Sequence, residues 1–216
     1  VSKSGYAFKD HNQNGVFDTG DEKYSGATVN LFRTDSGGAP LPASKQTTTT
    51  DANGQYTFSG LAGADYVIQI EKPDGTGYSY STKGSDSNTT DSHVDSAGYS
   101  SVFTVNSGAT VTAPANAGIM ATATLNVEFY EGSLTGTKIW TTITNSFTTL
   151  PATGTVTPGT TTGYDLPSHY EIKGGENSSE NYTFSWTDLN KTLKFIVQKK
   201  SYGVTYYQNY SGTDTN

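Results

Sequence analysis

Residues 10–22 read DHNQNGVFDTGDE. Counted from Asp10, oxygen-bearing side chains fall at positions 1 (Asp10), 3 (Asn12), 5 (Asn14), 9 (Asp18) and 12 (Asp21). Gly15 stands at position 6, where a twelve-residue calcium loop turns sharply, and the backbone carbonyl of Val16 falls at position 7. Calcium takes six to eight oxygens, and this alternate spacing folds them around one point. Position 12 carries Asp21 where such loops have a bidentate glutamate, and Glu22 follows it. The sequence leaves open which carboxylate closes the shell, and the shorter side chain leaves room for a water. The ordinary alternative is an Asn/Asp/Gly-rich turn between strands. Five matching positions plus the glycine favour the metal.

The flanks decide the fold. GYAF (5–8) precedes the loop and ATVNLF (27–32) follows it, both short and rich in β-formers. The second sets Val29 and Leu31 against Thr28, Asn30 and Phe32. A helix-flanked sensor loop would show neither pattern. The loop therefore joins strands, and a bound ion is expected to act as a structural staple.

Composition agrees with a secreted all-β chain. The 216 residues suffice for one large or two small domains. Hydrophobic residues make up 32%, with 24 glycines and 15 tyrosines, which suits strands with wet outer faces and aromatic cores. Cysteine is absent, so no disulfide can brace these domains and a metal is the natural substitute. A formal net charge of −7 argues against nucleic acid or an anionic membrane as partner. The sequence has no signal peptide, transmembrane run or heptad, so a segment of a longer chain is expected, without membrane insertion.

Along the chain, residues 25–34 and 45–49 lead to TDANGQYTFSGLAGADYVIQI at 50–70. Asn53-Gly54 predicts a hairpin between alternating segments. Tyr56 and Phe58 share one face, and Leu61 and Gly63 mark a turn into a strand over 66–70. The order of GYAFKDHNQNGVFDTGDEKYSGATVNLF, TDANGQYTFSGLAGADYVIQI, KPDGTGY, GSDSNTTDSHVD and FTVNSGATVTAPANAGI, spanning residues 3–120, resembles the SdrD B-like domain of bacterial surface adhesins. That resemblance implies a β-sandwich of the prealbumin-like or CNA-B type, with structural calcium ions that make a rigid stalk or spacer. It also implies further carboxylates in the polar loop 86–95, where Asp86, Asp91 and Asp95 stand. His93 interrupts that set in DSHVD, where relatives often read DSDVD. Imidazole is a poor calcium ligand, which weakens a second site against a plain solvated loop. Related CNA-B modules can carry a Lys–Asn isopeptide bond. Lys9, Glu71 and Asn116 make a nominal trio, but Lys9 abuts the metal loop and ordinary surface roles are expected.

After Ile119 the pattern restarts. MATAT (120–124) reads as a connection, and TLNVEFY (124–130) sets Leu125, Val127 and Phe129 against Asn126, Glu128 and Tyr130. The opening strand, Gly163-Tyr164-Asp165-Leu166, the following EIKGG and the closing TLKFIVQKK together resemble the MucBP-type repeat of mucus-binding adhesins. This implies a β-grasp-like module over 122–200 that binds mucin. The expected organisation is a calcium-binding sandwich over 1–121, the MucBP-like domain over 122–200, and an extra strand or the start of another repeat over 201–216.

Other motifs carry less. LPATG (150–154) spells a sortase signal but lacks the apolar stretch and basic tail behind it, and it reads as coincidence. His11, His93 and His169 show no zinc-pair spacing. No nucleophile motif or phosphate-cradling loop is present, and the paired carboxylates fall in the proposed metal loops, so no enzyme is expected. Trp186 in YTFSW reads as core, while Trp140 stands open as a sugar-stacking candidate. The expected function is a non-catalytic segment of a Gram-positive cell-surface adhesin, extracellular and wall-anchored through another part of the chain. It would combine a stalk with structural calcium and a module for host mucin or glycans, beside neighbouring repeats of the same chain. The alternative is an accessory carbohydrate-binding or spacer segment of a secreted polysaccharide-degrading enzyme.

Overall fold

The structure, a computed structural model, describes residues 1–108, 113–174 and 177–203. The stretch from 204 onward, where an extra strand or repeat is expected, lies outside the described residues. The chain divides into two compact units. The first comprises Val1–Leu125, Thr144–Gly154 and Thr183–Lys191, and the second Asn126–Ile143, Thr155–Tyr182 and Thr192–Asn216.

In the first unit, the strands flanking the opening loop are β1 (Lys3–Lys9), β2 (Glu22–Lys23) and β3 (Thr28–Arg33). There follow β4 (Gln46–Thr49), β5 (Gln55–Phe58), β6 (Ala64–Ile70), β7 (Tyr78–Tyr80), β8 (Phe103–Val105) and β9 (Ala117–Ala121). One sheet runs β2-β1-β9-β7, with β5 also on β1, and the other runs β4-β3-β6-β8. The β1–β9 pair is parallel, with Ala7 opposite Ala117 and Lys9 opposite Ile119; the other pairs are antiparallel. Alternation supplies the core between the sheets. Ala7, Tyr56, Phe58 and Ala117 from the first sheet meet Val29, Leu31, Ile68, Ile70 and Val105 from the second.

Two sequence expectations change here. The Asn53-Gly54 turn forms, with Asp51 Oδ1 accepting the N–H groups of Asn53 and Gln55 at 2.8 Å each. It does not close a hairpin, because β4 pairs with β3 and β5 pairs with β1. The turn passes over β1 instead. Ala7 N–H donates to Gly54 O at 2.9 Å, and a Cβ on Gly54, at φ +69°, would stand 2.8 Å from Ala7 O. In β3, Asn30 and Phe32 are buried along with Val29 and Leu31. Both faces of β3 are covered: Asn30 Nδ2 donates to Glu71 Oε1 at 2.6 Å and its Oδ1 accepts from Thr47 at 2.9 Å.

The later strands are β10 (Ala123–Glu131), β11 (Ile143–Phe147), β12 (Ala152–Val156), β13 (Tyr170–Ile172), β14 (Glu180–Phe184) and β15 (Asn190–Lys199). They form a four-stranded sheet in the order β11-β10-β15-β13 and a β12-β14 pair. Residues 120–124, read as a connection, are strand on both sides of Thr122. The predicted alternation of β10 holds, since Leu125, Val127 and Phe129 are fully buried. Phe129 packs against Phe195 at 6.1 Å between ring centres, and Val156 and Val197 are also fully buried. Helix is confined, among the described residues, to one 3-10 turn at Pro42–Ser44, so the chain is all-β.

Candidate metal centre

Asp10 follows directly on β1 and is pinned to β9 by its N–H to Ile119 O at 2.9 Å. Its side chain is 1% exposed. Oδ1 accepts from Asn14 N–H at 3.2 Å, and Oδ2 accepts from Gly15 N–H at 2.8 Å and from Ser81 Oγ at 2.6 Å. Gly15 makes this turn at φ +79°, with Thr82 O lying 2.6 Å from where a Cβ would stand. Asn12 and Asn14 send their amides to the two oxygens of Asp18, at 2.9 and 2.8 Å. Asp21 closes the far end, Oδ1 accepting from His11 N–H at 2.9 Å and Oδ2 from Asp18 N–H at 3.1 Å. Glu22 faces away: it pairs with Lys9 at 2.8 Å across the β1–β2 ladder, and Lys9 holds its carboxyl below the usual range.

Val16 bridges to Asp91 in an antiparallel pair whose hydrogen bonds are made by its neighbours, Phe17 N–H to Thr90 O and Ser92 N–H to Gly15 O. In such a pair the bridged residue turns its own peptide groups to the opposite edge. Val16 N–H accordingly meets Asn14 Oδ1 at 2.7 Å, on the loop's inner side. Phe17 anchors the loop to the sheet, edge-on to Tyr6 and Phe8 at 5.6 Å each. Lys23 lies over the rings of Tyr6 and Phe17, with its Nζ 3.0 and 3.6 Å from their centres. Burial pulls Lys23 down to about 8 and pushes Tyr6 up to about 12, the charge of Asp91 adding to the latter.

The donor set is oxygen-rich, with three carboxylates, two amides and one inward peptide edge in one loop, which suits a hard cation. Each amide nitrogen stands within hydrogen-bond distance of Asp18, while the amide oxygens accept from backbone, Asn12 Oδ1 from Asn14 N–H at 3.1 Å and Asn14 Oδ1 from Val16 N–H, so turning either oxygen toward a cation gives up one of these bonds. No group of three or more His, Cys, Asp or Glu side chains among the described residues is arranged to hold a metal. A cation here would therefore need the amide oxygens of Asn12 and Asn14 and a backbone oxygen beside the carboxylates.

The second set is dispersed. Asp86 pairs with Lys83 at 3.5 Å and accepts from Ser101 Oγ at 2.7 Å; Asp91, buried, accepts from Ser85 N–H at 2.9 Å. Asp95 caps a turn through the N–H groups of Ala97 and Tyr99. His93 is a buried clasp: Nδ1 accepts from Asn116 N–H at 3.0 Å, and Nε2 lies 2.8 Å from Asn88 O and 3.1 Å from Ser85 O. The Lys9, Glu71 and Asn116 trio is not assembled. Lys9 pairs with Glu22, Glu71 accepts from Asn30, and Asn116 is held by Tyr6 N–H and Thr89 O. Trp186 is 9% exposed and packs beside Tyr78 and Tyr24, all within the first unit. Trp140 is 51% exposed. In LPATG, Leu150 is buried and Ala152 opens β12.

Residues 4–119, just over half the chain, match the SdrD B-like domain family. The chain belongs to this family. Among curated proteins, this SdrD B-like chain is 43% identical over 70 residues to serine-aspartate repeat-containing protein I of Staphylococcus saprophyticus, covering 32% of the chain and 3% of that protein. It is 37% identical over 81 residues to serine-aspartate repeat-containing protein F of Staphylococcus epidermidis, covering 38% of the chain and 4% of that protein. Protein D of Staphylococcus aureus strain Newman matches at 37% over 81 residues, 38% of the chain and 6% of that protein. The chain thus spans only a small fraction of each. Among solved structures, the Bacillus anthracis TIE protein matches with TM-score 0.42 and 12% identity, over 92% of this chain and 34% of that one. The minor pilin GBS52 of Streptococcus agalactiae matches with TM-score 0.34 and 10% identity, over 96% and 99%.

Proposed function

We propose that residues 1–121 act as a spacer module stiffened by calcium in an extracellular, cell-surface adhesin of a Gram-positive bacterium, and that 122–200 is a separate non-catalytic β-module. The observation that carries the first half is the loop 10–21, in which Asp10, Asn12, Asn14, Asp18 and Asp21 are gathered by hydrogen bonds around one turn. When bound, the ion supplies a charge that ties these oxygens together. The chain's own residues do the positioning: Ser81 and Gly15 orient Asp10, and Phe17 fastens the loop to the sheet. An ion that binds only the folded state stabilises it by mass action, so extracellular calcium would keep the module stiff.

The second module is read as a mucin- or glycan-binding unit of MucBP type, supported by Trp140, whose indole is open to solvent. Calorimetric titration of calcium into the chelator-stripped whole chain tests the first half: saturable binding that Asp18→Asn abolishes is expected, and heat no different from buffer would sink it. A glycan array with the wild type and Trp140→Ala tests the second. Binding to host mucin glycans that the variant loses is expected. Binding to plant or wall polysaccharide instead would favour an accessory module of a polysaccharide-degrading enzyme.

A further inference from the structure

Lys3 is the exception in the interior of the first unit. The alternation of β1 puts it in phase with Gly5 and Ala7 on the inward face, and it is 3% exposed. Its ammonium donates to Ala113 O and lies 4.4 Å from the centre of the Phe103 ring. No ion pair to Lys3 forms among the described residues. Asp86, whose charge acts on Lys3, is already engaged by Lys83 and Ser101. An ammonium has three donors, of which the carbonyl and the ring face take two. A buried charge without a counter-ion is costly, and burial lowers the pKa of Lys3 accordingly.

Lys3 opens onto a cavity of about 230 Å³, whose walls include Phe103, Val102, Pro114, Ser101 and His93. The ring nitrogens of His93 are taken by Asn116, Asn88 and Ser85, so it offers the cavity no free polar atom. We propose that this cavity binds a small monocarboxylate, whose carboxylate pairs with Lys3 and whose short apolar tail lies along Phe103, Val102 and Pro114. The volume suits a chain of a few carbons, below the size of ordinary drug-like ligands. One cation beside the Asp86 wall suits a single negative charge. Asp86 opposes any anion in this cavity, and it opposes a dicarboxylate, a sulfate or a phosphate more than a single carboxylate paired with Lys3.

Sodium butyrate, titrated into the isotope-labelled whole chain against sodium chloride at matched ionic strength, tests this by NMR. Saturable shifts at the Lys3 side chain and the Phe103 ring are expected, with succinate and n-butylamine each weaker by about tenfold or more. Lys3→Met keeps the length of the side chain and removes the charge, and it should abolish the titration. Val102→Asp changes a side chain that is 46% exposed and puts a carboxylate on the cavity wall, so it should weaken butyrate while leaving the fold intact. The proposal is overturned if butyrate gives no saturable shift at Lys3. It is equally overturned if folded Lys3→Met binds as tightly as wild type, or, should that variant not fold, if Val102→Asp leaves the titration unchanged.

Discussion

Two substitutions in the opening loop separate its hydrogen bonds from its metal. Asp10 is buried and accepts from three donors, while Asp18 is exposed and accepts side-chain amides from Asn12 and Asn14. Asp10→Ala leaves Gly15 N–H and Ser81 Oγ without their acceptor. A buried donor so stranded costs about 1–3 kcal/mol, so the pair should cost about 3 kcal/mol with no metal present. For a unit of this size that is a fall of about 10 °C in the midpoint of its transition. Asp18→Asn keeps one acceptor and gives up the other at an exposed site where water can replace it, so it should change stability in EDTA by no more than about 0.5 kcal/mol.

Calcium reverses the ranking. At a free concentration about a hundredfold above its Kd, an ion bound only by the folded state adds about 2.7 kcal/mol to wild type. Asp18→Asn, lacking one ligand charge, should forfeit most of that gain. The assay is thermal unfolding of the whole chain in EDTA and in excess calcium, with magnesium as control, followed at the first unit by hydrogen exchange of β1 and β9 amides. If Asp10→Ala matches wild type in EDTA, the hydrogen-bond account of the loop is wrong. If Asp18→Asn gains as much from calcium as wild type does, the metal assignment is wrong.

Alkaline pH should move the same unit in two directions. The folded pKa of Lys23, near 8, lies below the ordinary lysine value near 10.4, so the folded chain sheds that proton first and stability rises between about pH 8 and 10. Tyr6, at about 12, keeps its proton longer when folded, so stability falls from about pH 10 to 12. Urea unfolding across this range should show the rise flattened in Lys23→Met with the fall retained; an unchanged rise would refute the burial argument. Gly15→Ala forces an alanine into a left-handed conformation with its Cβ against Thr82 O, and equilibrium denaturation should report a loss of about 2 kcal/mol or more. Phe129→Ala empties a fully buried site beside Phe195 and should cost about 3–5 kcal/mol, measured by equilibrium denaturation of the whole chain.

What was legible in the sequence was local. The closed turn of loop 10–21 could be read because its oxygen-bearing residues lie close together in the chain, and β10 because every second residue is apolar. The Asn53-Gly54 turn was equally visible, but whether its strands pair depends on β1 and β3, far away in sequence, and that choice makes it a crossing between sheets. Alternation in β3 sets Asn30 and Phe32 opposite Val29 and Leu31 without saying that this second face is also covered. Ser81 could not be assigned to Asp10, because 71 residues separate them and no motif marks it. His93 carried a signal that was half read. Its replacement of an expected carboxylate pointed away from metal, and the structure supplies the positive role, a clasp whose two ring nitrogens hold the loop 85–88 to Asn116. Lys3 is the sharper case. The alternation that places Ala7 in the core places Lys3 there too, although lysine as a residue type is expected at the surface. Where period and polarity disagree on a strand, the period reports the backbone and the polarity reports what the site must hold.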